Sequence, residues 1–199
     1  GVWISKEQLA EIITKIKPVL EAVSGDGFGN PTEFEIGTVI AFEFFAAQAV
    51  DVAVIEVGMG GRFDATNVIR PVLSVITRID YDHQQYLGNS LTEIAFEKAG
   101  IIKPGIPVVI GAQLPGIEDY LSQIAASRGS GFKLASELCI ESVRVAESGT
   151  ESRYQSTYFG PLQVDLPLIG PHQAVNCLNV LAGLEFLINA GFKITRSAV

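Results

Sequence analysis

The chain has 199 residues, of which 48% are hydrophobic and 18% are charged, and its 14 Lys and Arg against 22 Asp and Glu give a net charge of −8. This composition is typical of a globular domain and excludes a disordered chain, a collagen-like repeat and a disulfide-stapled miniprotein. An acidic chain without a run of Lys or Arg also lacks the positive surface that nucleic-acid binding requires. We therefore expect neither a nucleic acid nor an anionic membrane as a partner.

The cysteines and the apolar stretches exclude further classes of protein. Cys139 and Cys177 are far apart and outside any Cys/His cluster, which argues against a zinc site or a disulfide framework and predicts two buried, reduced thiols. The most apolar stretch, 39–57, is interrupted by charged side chains and predicts no membrane span. The chain begins with Gly1 and its single methionine is Met59, from which we expect a piece of a longer protein.

Two helices are predicted at the start of the chain. A capping box at residues 5–8 precedes apolar residues at helical spacing. A glycine-rich break at 25–31 ends this helix, and Thr32 with Glu35 repeats the capping spacing. We expect the second helix to extend towards Ala49.

Strands and helices then alternate. Runs of Val, Ala and Ile that are too short for a typical helix predict strands buried on both faces. The predicted strands are 51–57, 72–79 and 107–110, and the predicted helices are 90–99, 117–128 and 173–190. The alternation continues to Leu134 and predicts an α/β fold with a mainly parallel sheet flanked by helices.

The pattern changes in the segment 137–168. Polar and apolar residues alternate in 139–145 and 153–159, which is typical of half-exposed antiparallel strands. Gly149 and Gly160 are the predicted turn residues. We therefore expect a small antiparallel ribbon beside the parallel sheet.

Glu56 is the first candidate for chemistry, because it ends the predicted strand 51–57 and ligands collect at the carboxyl ends of strands in open α/β sheets. A buried carboxylate is costly unless it is paired or bound to a metal. A metal ligand and a structural salt bridge, for example with Arg62, both remain open. The glycine cluster at 58–61 fits either close approach to a ligand or a tight turn; no helical pattern follows it, which excludes a dinucleotide fingerprint and a P-loop.

His83 and Lys98 are the second and third candidates. The segment 80–83 follows a predicted strand and should place His83 at the same sheet edge as Glu56. A single histidine is usually a satisfied polar residue unless a partner is found. Lys98 is the candidate partner, and the alternative is a helix-end lysine stabilised by the helix dipole.

Together these segments resemble folylpolyglutamate synthase and the related dihydrofolate synthase, members of the Mur ligase superfamily. The resemblance is carried by the block 56–67, EVGMGGRFDATN, by Asp82 with His83, and by 97–101, EKAGI. It extends to the segments 32–35, 111–113, 166–168 and 170–173 and to Asn176. The match spans nearly the whole chain.

The resemblance implies an ATP-driven amide ligase. ATP would phosphorylate a pteroate or folate carboxylate, and the amine of L-glutamate would displace the phosphate. By family motif, Glu56, His83 and Lys98 are the catalytic and Mg²⁺-site residues, with Lys98 carbamylated. A carbamate presents oxygen atoms, which are the ligands that Mg²⁺ prefers, whereas an ammonium would repel it.

The resemblance also implies two binding regions and a cellular setting. Thr32, Phe34, Asp64 and Ala65 match the pterin pocket, and His172 with Asn176 match the region that approaches the nucleotide. The complete protein is expected to be cytoplasmic and monomeric.

Two departures from the family pattern concern the site for ATP. The Gly-Lys-Ser/Thr phosphate loop is absent from the sequence, and so is the C-terminal domain that, by the resemblance, closes over ATP and glutamate. We therefore expect residues 1–199 to be an incomplete Mur-ligase central ATP-binding domain that is inactive by itself. Two alternatives stay open: another Mur-type amino-acid ligase, for example one acting on cell-wall precursors, and a non-catalytic binding domain. Pterin binding, and a phosphate loop encoded upstream of Gly1, would separate them.

Overall fold

A computed structural model describes residues 2–27 and 29–199 of the chain. Gly1, the predicted fragment start, and position 28 within the predicted break 25–31 therefore lie outside the described residues. The fold divides into two compact units.

The first unit comprises residues 1–59 and 64–68. Its helices are α1, Lys6–Gly25, and α2, Glu33–Ala47. Both begin with the predicted capping box, in which the hydroxyl of Ser5 or Thr32 accepts from the third residue of the helix and that residue's side chain accepts in return. Both helix predictions are confirmed.

The segment 51–57 also belongs to the first unit, and here the prediction of a buried strand is wrong. The segment has no strand structure, and the side chains of Val52 and Val54 are 55% and 91% exposed. A strand needs a hydrogen-bonding neighbour, and no strand in the described part of the chain pairs with this segment. Hydrophobicity predicted the tendency to be buried but not the presence of a partner.

The second unit comprises residues 60–63 and 69–199, and it contains a parallel sheet flanked by helices. The strands, in spatial order, are β1, Ser74–Ile76; β2, Val108–Ile110; and β3, Phe132–Leu134. The helices are α3, Gln84–Leu87; α4, Leu91–Ala99; α5, Ile117–Ser127; and α6, Pro171–Asn189. Across the described ranges 2–27 and 29–199, no helix has the length and apolar character needed to span a membrane.

The central strand β2 is fully buried, as its apolar run predicts. One core contains Ile76 of β1 and Ile110 of β2, with Ile94 of α4 and Leu121 of α5. Val109, the middle residue of β2, belongs to the other core, which joins α6 to the antiparallel strands. The parallel sheet is therefore covered on both faces. This packing holds the ends of the strands, and the loops that follow them, in place.

An antiparallel sheet follows the parallel one. Its strands are β4, Cys139–Ala146; β5, Gly149–Ser156; and β6, Gly160–Leu166. The α/β fold with a small antiparallel sheet is confirmed. The predicted ribbon lacked β6, and its second strand, predicted at 153–159, begins earlier in the sequence, at Gly149. Gly149 begins β5 instead of forming the turn, and alternation alone did not fix this register.

Cys139 and Cys177 are both unpaired. Cys177 is buried as expected, and this burial raises the pKa of its thiol. Cys139 is exposed, so the prediction of two buried thiols is wrong for this residue. It begins β4, which lies at the edge of the antiparallel sheet, whereas Cys177 faces the core from α6.

The capping carboxylate of α4 predicts a pH-dependent stability. Glu93 accepts from the Asn89 and Ser90 N–H groups at 2.8 and 3.0 Å and from the Ser90 hydroxyl at 3.0 Å. The backbone bond from Asn89 contributes most to lowering the pKa of this carboxyl below its ordinary value. Because the folded pKa is lowered, the stabilisation is present above the unfolded value of about 4.3 and is lost as the pH falls through the folded pKa.

We therefore expect Glu93→Ala to lower the thermal unfolding midpoint near neutral pH. The difference from the unsubstituted protein should shrink as the pH falls below about 4, a range set by the ordinary carboxyl pKa. Glu147→Ala, in the exposed turn between β4 and β5, is the matched control. A Glu93→Ala deficit that is the same at acidic and neutral pH would contradict this account.

Candidate functional site

An open groove in the first unit brings several predicted site residues together. Its volume is about 730 Å³. It is lined by Thr32, Glu33, Phe34, Gly37, Thr38, Ala41, Phe42, Phe45, Val54, Ile55, Glu56 and Thr66. Two of the four predicted pterin-pocket residues and the first predicted metal ligand thus share one mostly apolar groove, a composition suited to a flat aromatic ligand.

Phe34 presents part of its ring to this groove. Its side chain is 47% exposed, and its ring lies directly over the backbone of Gly58. A Cβ atom at Gly58 would lie 2.3 Å from Cζ of Phe34. Glycine at this position is therefore required for the observed ring position.

Asp64 holds the loop beside the groove in place. Its carboxylate accepts from the Met59 N–H at 2.9 Å, from the Thr66 N–H at 2.9 Å and from the Thr66 hydroxyl. A carboxylate has about four acceptor sites, so roughly one is left for a ligand. Ala65 begins the short 3-10 turn Ala65–Val68 that these bonds stabilise.

Glu56 carries an available carboxylate. It is exposed, and no hydrogen bond or ion pair joins it to another described residue of the first unit. The metal ligand and the salt bridge with Arg62, the two sequence-based alternatives, both stay predictions. Within the second unit Arg62 pairs with Glu97 through two hydrogen bonds of 2.7 and 3.2 Å, a pair that the sequence did not predict.

The glycines at 60 and 61 lie in a tight turn of the second unit. The Arg62 N–H donates to the Glu97 carbonyl at 2.8 Å, and a Cβ at Gly61 would lie 2.9 Å from that same carbonyl oxygen. Both glycines have positive φ, 69° at Gly60 and 158° at Gly61. A Cβ at Gly100 would lie 2.3 Å from Cα of Arg62. The glycines thus serve a tight turn packed against the end of α4.

His83 immediately precedes α3 and is exposed. Its backbone is left-handed, with φ 48° and ψ 36°, which is uncommon for a residue other than glycine. The Nε2 atom of its imidazole lies 3.6 Å from the Asp82 carboxylate. Its backbone N–H donates to the same carboxylate at 2.8 Å. Because sparsely populated backbone conformations cluster at functional sites, this conformation makes His83 a candidate for a functional role, which stays a prediction.

Lys98 lies in the last turn of α4 and is half-buried. Its carbonyl accepts from the Ile101 N–H at 3.3 Å. Within residues 2–27 and 29–199 its side-chain amine forms no ion pair. The position is compatible both with a modified metal ligand and with the helix-dipole alternative.

The predicted metal set is divided between the two units, with Glu56 in the first and His83 and Lys98 in the second. Among the described residues, no group of three or more His, Cys, Asp and Glu side chains is placed to hold a metal ion. The metal set therefore stays a prediction. Its donor atoms would be the carboxylate of Glu56, the imidazole of His83 and the oxygen atoms of a carbamylated Lys98, and of these the oxygen atoms are the ligands that Mg²⁺ prefers.

His172 and Asn176 lie in the first turns of α6 and are exposed. Gln173 connects them: its Nε2 lies 3.0 Å from Nε2 of His172, and its Oε1 accepts from the Asn176 amide at 3.3 Å. The N-terminus of this 19-residue helix favours negative charge. Gln173 was matched only as part of the segment 170–173 and was not predicted as a site residue, because a glutamine carries no distinctive chemical signal in sequence.

Comparison with known proteins identifies the family. A family model described as the Mur ligase middle domain matches residues 6–184. The dihydrofolate synthase/folylpolyglutamate synthase of Bacillus subtilis is 39% identical over 192 residues, which is 94% of this chain. The chain spans 44% of the length of that relative.

Solved structures agree with the sequence comparison. Folylpolyglutamate synthase of Mycobacterium tuberculosis in complex with ADP superposes with a TM-score of 0.87 at 36% identity, over 98% of this chain and 45% of that one. A complex of FPGS with AMPPCP and folate has a TM-score of 0.85 at 34% identity, over 95% of this chain and 47% of that one.

Proposed function

The chain belongs to the Mur ligase middle-domain family, and we propose that it is the ATP-binding middle domain of a ligase that adds L-glutamate to a folate or dihydropteroate carboxylate. The observation that carries this proposal is 39% identity, across 94% of the chain, with a dihydrofolate synthase/folylpolyglutamate synthase. The solved complex that contains both an ATP analogue and folate supports ATP and a folate as ligands.

The reaction proceeds in two steps. A carboxylate oxygen of the folate attacks the γ-phosphorus of ATP, which gives an acyl phosphate and releases ADP. The amine of L-glutamate then attacks the acyl carbon, phosphate leaves with the C–O bonding electrons, and the amine loses a proton. Both steps depend on holding the reacting atoms in line and on stabilising developing negative charge.

Residues of this chain have separate parts in these steps. Phe34 offers an aromatic face to the pterin ring, while Thr32, Asp64 and Ala65 shape the pocket beside it. His172 and Asn176, at the start of α6, approach the nucleotide. The pocket would hold the pterin end of the folate and leave its carboxylate free to be phosphorylated.

Glu56, His83 and carbamylated Lys98 hold Mg²⁺ in this proposal. The bound ion supplies positive charge to neutralise the phosphoryl oxygens. The available carboxylate of Glu56 and the strained backbone at His83 support their assignment. The complete protein acts as a cytoplasmic monomer.

Substrate omission tests the function. The protein encoded by the complete reading frame should release phosphate from ATP only when both L-glutamate and dihydropteroate or tetrahydrofolate are present. A cell-wall precursor that replaces the folate would point to another Mur-type ligase, and absence of turnover with either substrate would point to a binding domain. The 199-residue chain, whose sequence has no Gly-Lys-Ser/Thr loop, should be inactive in the same assay.

Phe34 provides a test of the pterin pocket. We expect Phe34→Ala in the complete protein to weaken pteroate binding by about tenfold or more, since a stacked aromatic contact contributes about 1 kcal/mol beyond its buried area. ATP affinity should be nearly unchanged. Both affinities can be measured by calorimetry, with Tyr158→Ala as a control at an exposed aromatic outside the groove.

Gly58→Ala should reproduce part of this effect without removing the ring, because the new Cβ would displace Phe34. If both substitutions weakened pteroate and ATP binding equally, the cause would be general misfolding. If neither changed pteroate affinity, the groove would not be the pterin pocket.

A further inference from the structure

The loops that follow β1 and β2 run side by side at the carboxyl ends of these paired strands. The strands are in register at Ile76 and Ile110, and the Gly111 N–H donates to the Ile76 carbonyl at 2.7 Å. A Cβ at Gly111 would lie 2.8 Å from Oδ1 of Asn179 and 3.2 Å from Cα of Thr77. Glycine therefore allows the loop after β2 to run directly beside the loop after β1.

Gln113 uses this proximity to join the two loops. Its Oε1 accepts from the Ile79 N–H at 2.8 Å, and its Nε2 donates to the Thr77 carbonyl at 2.9 Å. The orientation of the amide is determined by its partners, because a backbone N–H needs an acceptor and a carbonyl needs a donor. One side chain thus supplies both hydrogen bonds that a neighbouring strand would have supplied at this point.

The bridged loop leads to His83. Ile79 is 1% exposed and anchors the loop in the core, whereas residues 80–83 are all exposed. The hydrogen bonds within this exposed part are local: Asp80 accepts from the Tyr81 N–H at 2.9 Å, and Asp82 accepts from the His83 N–H at 2.8 Å. His83 is therefore held from two sides: through the loop backbone at Thr77 and Ile79, and through its own carbonyl, which accepts from the Tyr86 and Leu87 N–H groups of α3 at 2.8 and 3.0 Å.

We propose that Gln113 is a positioning residue that fixes the loop 77–83, and through it His83, against the end of the parallel sheet. The importance of His83 rests on the proposed function, but the bridge itself is a property of the folded chain. Both polar atoms of the Gln113 amide bond to the backbone of this loop, so Gln113 acts through the loop. It replaces the missing continuation of the β ladder with a side-chain amide.

Gln113→Glu separates the two hydrogen bonds of the bridge. The substitution keeps the size of the side chain and the acceptor for Ile79 but places a second carboxylate oxygen against the Thr77 carbonyl, so one bond is replaced by repulsion. Gln113→Ala removes both bonds. Gln123→Glu, an exposed position on α5, is the matched control.

The test is hydrogen–deuterium exchange on the complete protein without substrates. We expect Gln113→Ala and Gln113→Glu to increase exchange at residues 77–83 by about tenfold or more, which is the fold-change for loss of one hydrogen bond of about 1.4 kcal/mol. Exchange in α6 and in the antiparallel sheet should be unchanged, as it should everywhere in Gln123→Glu. Unchanged exchange at 77–83 in both Gln113 variants would overturn the proposal.

Kinetics gives a second and separable readout. If the ligase function holds, both Gln113 variants should lower kcat by about 10- to 100-fold, the usual cost of losing a group that orients a metal-site residue, while the KM for the folate changes little. A protein that shows the exchange change but never ligates glutamate would leave the positioning role intact and refute only the proposed function. A raised KM with unchanged kcat would overturn the positioning of His83.

Discussion

Lys98→Ala should reduce turnover of the complete ligase by more than about 100-fold. Loss of a group that only orients a metal ligand costs at most about 100-fold, and we expect loss of a ligand itself to cost more. Lys98 lies in the last turn of α4 and forms no ion pair among the described residues, so no salt bridge is lost with it. A carbamate at this position would supply oxygen atoms to the metal. A short carboxylate such as acetate should therefore restore part of the activity.

The control for this effect is Lys193→Ala, at an exposed position near the end of the chain, which should leave turnover unchanged. The activity of the unsubstituted enzyme should also fall in CO₂-depleted buffer and return with bicarbonate. If Lys98→Ala retained normal activity, the residue would be a helix-end cation stabilised by the dipole, and the metal-site proposal would be wrong at this position.

Glu56→Gln should have the second-largest effect, with turnover reduced by about 100-fold or more if the carboxylate is a metal ligand. Thermal stability should be preserved, because Glu56 is exposed and no ion pair or hydrogen bond joins it to another described residue of the first unit. Surface substitutions of this kind usually change the free energy of unfolding by less than about 0.5 kcal/mol. Steady-state kinetics and thermal unfolding of the same samples measure both quantities.

Glu33→Gln is a closely matched control, since Glu33 lines the same groove as Glu56 and is also exposed. It should retain full turnover. Equal losses in the two variants would mean that the charge of the groove, and not a specific ligand, is important. A large loss of stability in Glu56→Gln would indicate a structural carboxylate.

Local sequence signals predicted the helices well. The capping boxes at Ser5, Thr32 and Ser90 fix the first turns through bonds between residues three apart, so no distant information is needed. The strand β2 was also predictable, because a short apolar run between two helices can be buried only inside a covered sheet.

The failures concern partners that sequence does not specify. The segment 51–57 has the composition of a buried strand but has no strand partner in the described part of the chain. Alternation indicated antiparallel strands after Leu134 but not the position of Gly149, which begins β5. Strand pairing is a long-range property, and a pattern with a period of two fits more than one register.

In the candidate site, too, local motifs were predictable and the contacts between distant residues were not. The block 56–67 identified the family, and the structure adds what each residue contacts: Arg62 pairs with Glu97, and Asp64 holds its own loop. Neither the Arg62–Glu97 pair nor the bonds of Asp64 could be predicted from sequence spacing, because many other carboxylates in the chain could have made such contacts. Gln113 was matched only as part of a motif, and its bridge became visible through the two hydrogen bonds to the loop after β1.

The central proposal, ATP-driven attachment of glutamate to a folate carboxylate, is tested most directly by following the carboxylate oxygen. Dihydropteroate labelled with oxygen-18 in its carboxylate is incubated with ATP, Mg²⁺, L-glutamate and the complete protein, and the phosphate and the folate product are analysed by mass spectrometry. Passage through an acyl phosphate predicts transfer of one labelled oxygen to inorganic phosphate together with a product heavier by one glutamate residue. Unlabelled phosphate, or a product without added glutamate, would contradict the proposed function.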